Sequence, residues 1–223
     1  MGFSDETFQF LADLEAHNSK DWFDKNRERY EAHWRDASLS FIREIEGKMR
    51  ALDPSLKAEA RLNGSLRRIN RDVRFSKDKS PYKPRLHMIF WTEGHPNRSP
   101  GMHLVLHPKS VGYGAGQFGL EPKALAAMRD RIADPSDGDA LIDALESAAK
   151  VGCTLGEPDL ARLPRGFEAE GRRADLLRHK ALVARTRDHG APVDVMKGTD
   201  AVDWLMGVTE ELLPLIRWLR GAS

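Results

Sequence analysis

Apolar residues recur every three or four positions over the first 57 residues, a spacing that predicts amphipathic helices. A short helix would carry Phe8, Leu11 and Leu14 on one face. After Asn18-Ser19 a longer helix is predicted, and Asp53-Pro54 ends it because a residue before proline disfavours helical geometry. Its apolar stripe consists of Tyr30, Trp34, Ala37, Phe41, Ile45, Met49 and Leu52.

Between residues 62 and 118 the pattern changes to the alternation that is typical of β-strands. A strand over Leu66–Phe75 would turn Ile69, Val73 and Phe75 to one side. Further strands are predicted at 86–91, 102–107 and 110–118, separated by clusters of Pro and Gly. Because the connections are short, an antiparallel sheet is favoured over parallel crossovers.

Residues 120–223 return mainly to helical spacing, with a first helix beginning at Pro122 and a second over about 139–149. A short strand is predicted at 181–183, and a last helix follows Thr199. The chain is therefore predicted to be a single α+β domain, 1–223. In it an antiparallel β-sheet is flanked by N-terminal and C-terminal helices, with the sheet in 62–118.

Composition narrows the class of protein. Hydrophobic residues make up 40% of the chain, too many for a disordered sequence. The one cysteine, Cys153, can form no internal disulfide, which fits a reducing compartment. No apolar run approaches the roughly 20 residues that span a bilayer, and the start of the chain is not typical of a signal peptide. We therefore expect a cytoplasmic protein with no membrane partner.

Positive charge is concentrated in one segment. Residues 61–85 contain nine Lys or Arg against two Asp, although the whole chain has a net charge of only +1. A local positive field of this kind favours anionic partners. On a strand, Arg68, Asn70, Asp72 and Arg74 would share one face, and guanidinium groups so arranged bind phosphate or carboxylate bidentately.

The segment therefore predicts a site for a small phosphorylated or carboxylate ligand. The alternative is an edge strand protected by charge, with its two acids in ordinary ion pairs. Asp72 and Asp78 are the only acids in the segment placed to serve as a catalytic base. The predicted ligand-binding residues are Arg68, Asn70, Arg71, Arg74, Lys79, Tyr82 and Lys83.

Two other patterns are weaker. Residues 114–119 match the dinucleotide fingerprint G-x-G-x-x-G, but no βαβ unit follows them, so we expect no cofactor there and a close backbone approach instead. His103 and His107 share a strand face but lie about 13 Å apart on extended chain, too far to bind one metal ion. His87 could meet one of them across a strand pair, yet we predict no metal site.

The segment Arg68–Lys83 resembles, without a gap, the motif Arg-x-Asn-Arg-Asp-x-Arg-Phe-Ser-x-Asp-Lys-x-Pro-Tyr-Lys. This motif is that of a bacterial and fungal family of conserved hypothetical proteins, domain of unknown function 2461. Residues 3–11, 18–23, 111–116 and 163–167 are similar to other stretches of that family, so the resemblance spans nearly the whole chain. It implies no activity. It does support treating the basic segment and the glycine-rich strand as one region.

Three hypotheses for function follow. The first is a binding protein or enzyme that acts on a small anionic ligand. The second is a nucleic-acid-binding protein that uses the same basic face, although the isoelectric point near 7.9 is low for that class. The third is a protein-interaction scaffold without catalytic activity.

Overall fold

The N-terminal stripes form α1 (Asp5–Ala16), α2 (Lys20–Lys25), α3 (Arg27–Arg29) and α4 (Ala37–Leu52), and a π-helical segment, Tyr30–Asp36, joins α3 to α4. This computed structural model describes residues 2–187 and 190–221; the other positions of the predicted domain lie outside the described residues. Trp34, Phe41, Ile45 and Met49 are buried, as the stripe predicts. The π-helical turn was not predicted.

The strands form one antiparallel sheet in the order β1-β2-β3-β5-β4, with β6 paired to β3. Their bounds are β1 Leu86–Trp91, β2 Gly101–Leu106, β3 Ser110–Gln117, β4 Cys153–Thr154, β5 Leu182–Thr186 and β6 Ala191–Pro192. The α+β class and the antiparallel sheet are confirmed. The sheet nevertheless extends beyond 62–118, because β4, β5 and β6 come from the C-terminal part of the chain.

The predicted strand at Leu66–Phe75 is wrong. Only its start pairs with β1, through a bridge between Leu66 and Met88, and the rest is irregular. Ile69 is buried as expected, but Phe75 is 96% exposed. Pro81 and Pro84 lie on the segment that runs back alongside it. Proline has no backbone N–H to donate, so a continuous row of strand hydrogen bonds cannot form there.

The C-terminal helices cover one face of the sheet, which we call the inner face. They are α5 (Pro122–Ala133), α6 (Pro135–Lys150), α7 (Gly171–Leu177) and α8 (Ala201–Arg220), with a 3-10 turn at Val193–Met196. The longest, α8, packs on β2 and β3, where the Thr209 hydroxyl lies 3.2 Å from the Met102 sulfur. Met88, Leu104 and Ala115 point into this core.

Alternation along the strands sends another set of side chains to the opposite face, which we call the outer face. His87 lies opposite Val105, and Val105 opposite Gly112. One row further, His103 pairs with Gly114, which in turn pairs with Arg185. The outer face therefore carries the histidines and the glycines of the central strands.

The outward edge of β1 is hydrogen-bonded by an extended segment that precedes the strand. The Lys57 and Trp91 backbones exchange two hydrogen bonds, the Ile89 N–H donates to Ser65, and the Arg67 N–H donates to His87. This pairing fixes Arg67 beside His87. It also leaves few backbone groups of β1 unpaired on that side.

A buried carboxylate joins the end of α4 to α8. Asp53 is 5% exposed and accepts hydrogen bonds from Ser55, from Arg217 Nε at 2.8 Å and from Arg220 Nη1 at 3.4 Å. Burial raises its pKa, but the hydrogen bonds from Ser55 and Arg217 outweigh this and bring the value down to about 2. The acid is therefore ionised at neutral pH and fully partnered.

Across the part of the chain that the structure describes, no helix is both long and apolar enough to cross a membrane.

Candidate functional site

The predicted anion-binding segment forms an irregular hairpin, residues 67–83, which we call the basic hairpin. Near its base the Arg71 N–H donates to Pro81 at 2.9 Å and the Lys83 N–H donates to Ile69 at 2.8 Å. Beyond these bonds the chain forms a loop from Val73 to Ser80. The hairpin thus has a paired base and a charged tip.

The base is anchored to the N-terminal helices through Tyr82. The Asn18 amide donates to the Tyr82 carbonyl at 3.0 Å and accepts from its N–H at 3.1 Å. The Tyr82 ring stacks on Phe23, with 4.1 Å between centroids. Tyr82 is buried, so its side chain holds the hairpin in place and has little surface left for a ligand.

At the tip the charges neutralise each other. Arg74 forms an exposed ion pair with Asp72, at 2.7 Å, and Arg71 pairs with Asp78. The hydrogen bond from Arg74 lowers the pKa of Asp72, and those from Arg71 and Ser80 lower the pKa of Asp78. Both acids therefore have little tendency to accept a proton, which makes them poor candidates for a catalytic base.

The cations at the base of the hairpin lack such partners. Among the described residues, Arg67, Lys83 and Arg85 have no ion pair, although Lys83 Nζ donates to the Arg68 carbonyl at 3.1 Å. Burial lowers the pKa of Lys83, and the positive charges of Arg85 and Arg68 lower it further. Lys83 is partly buried and Arg85 is exposed, and like charges held close together repel one another. An anion bound between them would relieve that repulsion.

A groove of about 310 Å³ opens beside Lys83 and Arg85. It is lined by Arg71, Lys83 and Arg85 from the hairpin side, by His107 just after β2 and by Glu15 of α1, so one carboxylate faces it together with the cations. A larger cavity of about 450 Å³ lies on the outer face and shares Arg85 and His107 with the groove. The two spaces therefore adjoin.

A histidine pair lies in the larger cavity. His87 Nε2 and His103 Nδ1 are 3.0 Å apart, because the two residues are diagonal neighbours on β1 and β2. Burial, followed by the charges of His103 and Arg85, lowers the pKa of His87 to about 3. Burial and then Arg67 lower the pKa of His103 to about 4. Both rings are neutral at pH 7, so the pair can donate or accept hydrogen bonds.

The structure thus separates the predicted ligand-binding residues. Arg71 and Lys83 line the groove, whereas Arg68 does not line it and only accepts a hydrogen bond from Lys83 Nζ through its carbonyl. Arg74 and Lys79 lie at the tip, where Lys79 Nζ donates to the Val73 carbonyl at 3.0 Å. Asn70 is exposed and pairs with Tyr82 through the backbone.

Arg67, Arg85 and the histidines were not among the predicted ligand-binding residues. Arg67 and Arg85 belong to the same charge concentration, but regular alternation places them off the face that holds Arg68. The contact between His87 and His103 depends on strand register, which the sequence alone does not define.

The remaining reactive side chains are the single cysteine and the possible metal ligands. Cys153 is buried, and burial raises the pKa of its thiol to about 12, so it is packed as a small apolar side chain. In the described ranges, 2–187 and 190–221, no three His, Cys, Asp or Glu side chains come together as metal ligands would.

Fold and site together define a class of α+β protein in which helices cover one face of an antiparallel sheet and a basic hairpin borders the other. The chain belongs to the family of conserved hypothetical proteins DUF2461, whose family model matches residues 6–218. No curated protein and no solved structure matches the chain.

Proposed function

We propose that this protein binds a small anionic ligand, a phosphorylated one foremost, in the groove at the base of the basic hairpin. The observation that carries the proposal is a groove lined by Arg71, Lys83 and Arg85, of which Lys83 and Arg85 have no ion pair among the described residues. A phosphate has several acceptor oxygens and can take hydrogen bonds from two or three such groups at once. The site predicted along the whole hairpin is thereby narrowed to its base.

At the tip of the hairpin, Arg74 and Asp72 lie outside this groove and are already partners of each other. Arg74 is 76% exposed on its side chain and already bound bidentately to Asp72. To bind a ligand it would have to give up that partner. It therefore provides a matched control, because Arg74→Gln removes one positive charge from the same hairpin outside the groove.

We expect Lys83→Met and Arg85→Gln each to weaken the binding of inorganic phosphate by about tenfold, and Arg74→Gln by less than about twofold. Each lost cation removes charge-assisted hydrogen bonds to the anion. Titration calorimetry at constant ionic strength, with chloride as the reference anion, measures the three affinities. Equal losses in all three variants would argue for general charge attraction, and no phosphate binding by the wild type would end the proposal.

A single-stranded nucleic acid is the second candidate, and one observation favours it. Phe75 is 96% exposed at the tip, with the Arg74 guanidinium 5.9 Å from its ring centroid. Exposed aromatic rings among cations are the platforms on which unpaired bases stack. The exposed ring was not predicted, since alternation placed Phe75 with the core.

If the tip binds single strands, Phe75→Ala should cost about 1–3 kcal/mol of binding free energy for an oligothymidylate. Fluorescence anisotropy with a labelled oligonucleotide measures this. Affinity should also fall with log salt, by about 0.7 for each phosphate contacted. An oligonucleotide that binds Phe75→Ala and wild type equally well, or neither of them at low salt, would remove this candidate.

A further inference from the structure

We infer that the anionic ligand carries a planar aromatic ring, and that the ring lies in the outer-face cavity while the phosphate occupies the adjoining groove. The inference rests on the proposed function, and it specifies the ligand as a phosphomonoester of an aromatic or heteroaromatic group. Four observations support it.

The first is the size and continuity of the space. The outer-face cavity measures about 450 Å³, within the range of small-molecule sites. Arg85 and His107 line both the cavity and the groove. One ligand can therefore contact the cations with its phosphate and extend over the sheet with the rest of its structure.

The second is the chemistry of the lining. Val105 and Val183 provide aliphatic surface, and Phe118, which is 49% exposed, stands at the rim. The ring of Phe118 meets that of His103 edge-on, with 6.0 Å between centroids. An aromatic ring of a ligand would cover apolar surface that the protein leaves in contact with water.

The third observation concerns the floor of the cavity, where the glycines of β3 differ in the room that a side chain would have. A Cβ on Gly114 or Gly116 would lie 2.4 Å from a carbonyl oxygen of β5, so packing of the neighbouring strand requires glycine at both positions. At Gly112 the nearest atom to such a Cβ would be 3.7 Å away, an ordinary contact. Packing does not require glycine there, and its absent side chain keeps the floor flat beside Val105.

The fourth is the hydrogen-bonding capacity of the histidine pair. His87 Nε2 and His103 Nδ1 bond to each other, which leaves His87 Nδ1 and His103 Nε2 without partners among the described residues. In a neutral pair one outer nitrogen donates and the other accepts. The cavity therefore offers directional contacts to a ring heteroatom or substituent as well as apolar surface.

The test compares methyl phosphate with phenyl phosphate, which share the charged group and differ in the ring. Titrated against the full chain, phenyl phosphate should bind at least about tenfold more tightly. Gly112→Val should fill the floor and remove this advantage, while the affinity for methyl phosphate stays within about twofold. Valine suits a strand position, and circular dichroism checks that the variant folds.

Phe118→Ala is a second variant, and it leaves the floor of the cavity unchanged. Because the Phe118 side chain is half-exposed, we expect the variant to fold. It should also reduce the preference for phenyl phosphate. If both esters bind equally to the wild type, the ring site is wrong and the anion groove stands. If neither ester nor inorganic phosphate binds, the proposed function fails, and this inference fails with it. If the preference survives both Gly112→Val and Phe118→Ala, the ring lies elsewhere.

Discussion

The free energy of unfolding is expected to fall by about 2–4 kcal/mol as the pH is lowered from 7 to 4.5, largely because of His87 and His103. Their pKa values, about 3 and about 4, lie below the ordinary value of 6.5. Between pH 6.5 and the lowered pKa of each histidine, the unfolded chain binds a proton that the folded chain does not. The stabilisation is therefore complete above pH 6.5 and is lost as the pH falls toward 4.

Urea unfolding at several pH values measures this slope. In the double variant His87→Gln/His103→Gln the hydrogen-bonding side chains remain but no longer titrate, so the slope should fall by about half or more. Some dependence will persist, because burial also lowers the pKa of His107 and of His179. An unchanged slope in the double variant would show that the pair titrates normally in the folded protein.

Asp53→Ala is expected to lower the free energy of unfolding by about 2–4 kcal/mol at pH 7. The substitution leaves Arg217 and Arg220 without their carboxylate and removes the link between α4 and α8. An ion pair between Lys48 and Asp203 joins the same two helices at the surface, where the Asp203 side chain is 78% exposed. It provides the matched control. Asp203→Ala should cost less than about 1 kcal/mol.

Chemical denaturation of both variants provides the comparison. Because the pKa of Asp53 is lowered to about 2, its contribution is present above its ordinary value of 3.8 and is lost as the pH falls toward 2. If both variants lose the same free energy of unfolding, the buried ion pairs of Asp53 stabilise the fold no more than the exposed pair does.

Much of the fold was predictable because the strongest patterns are long. The stripe from Trp34 to Met49 was located correctly because it buries one face of its helix, and the strand at 86–91 because it is a short apolar run that is buried on nearly its whole length. The strand at 181–183 was also correct in place, and the structure extends it to Leu182–Thr186. Its partner β4, with only two residues, has too short a pattern to recognise.

The basic hairpin could not be predicted in detail for a physical reason. Arg68, Asn70, Asp72 and Arg74 alternate mostly with apolar residues, as in a strand, although Arg71 breaks the pattern. Alternation describes only side-chain direction. Whether a strand forms depends on a partner that supplies hydrogen bonds, and here ion pairs within the loop replace them. The concentration of charge indicated the hairpin, whereas the groove beside it depends on the three-dimensional placement of Lys83, Arg85 and His107, which the sequence does not give.

The hydrogen bonds along the outward edge of β1 have a consequence for self-association. Sheets grow by recruiting extended peptides onto unpaired edges, the route to domain swapping and fibrils. Here Lys57, Ser65 and Arg67 already occupy the β1 edge, and at the other end of the sheet β4 offers a template only two residues long. Neither end gives an incoming strand a long row of unpaired amides, so the sheet resists templated addition from both sides.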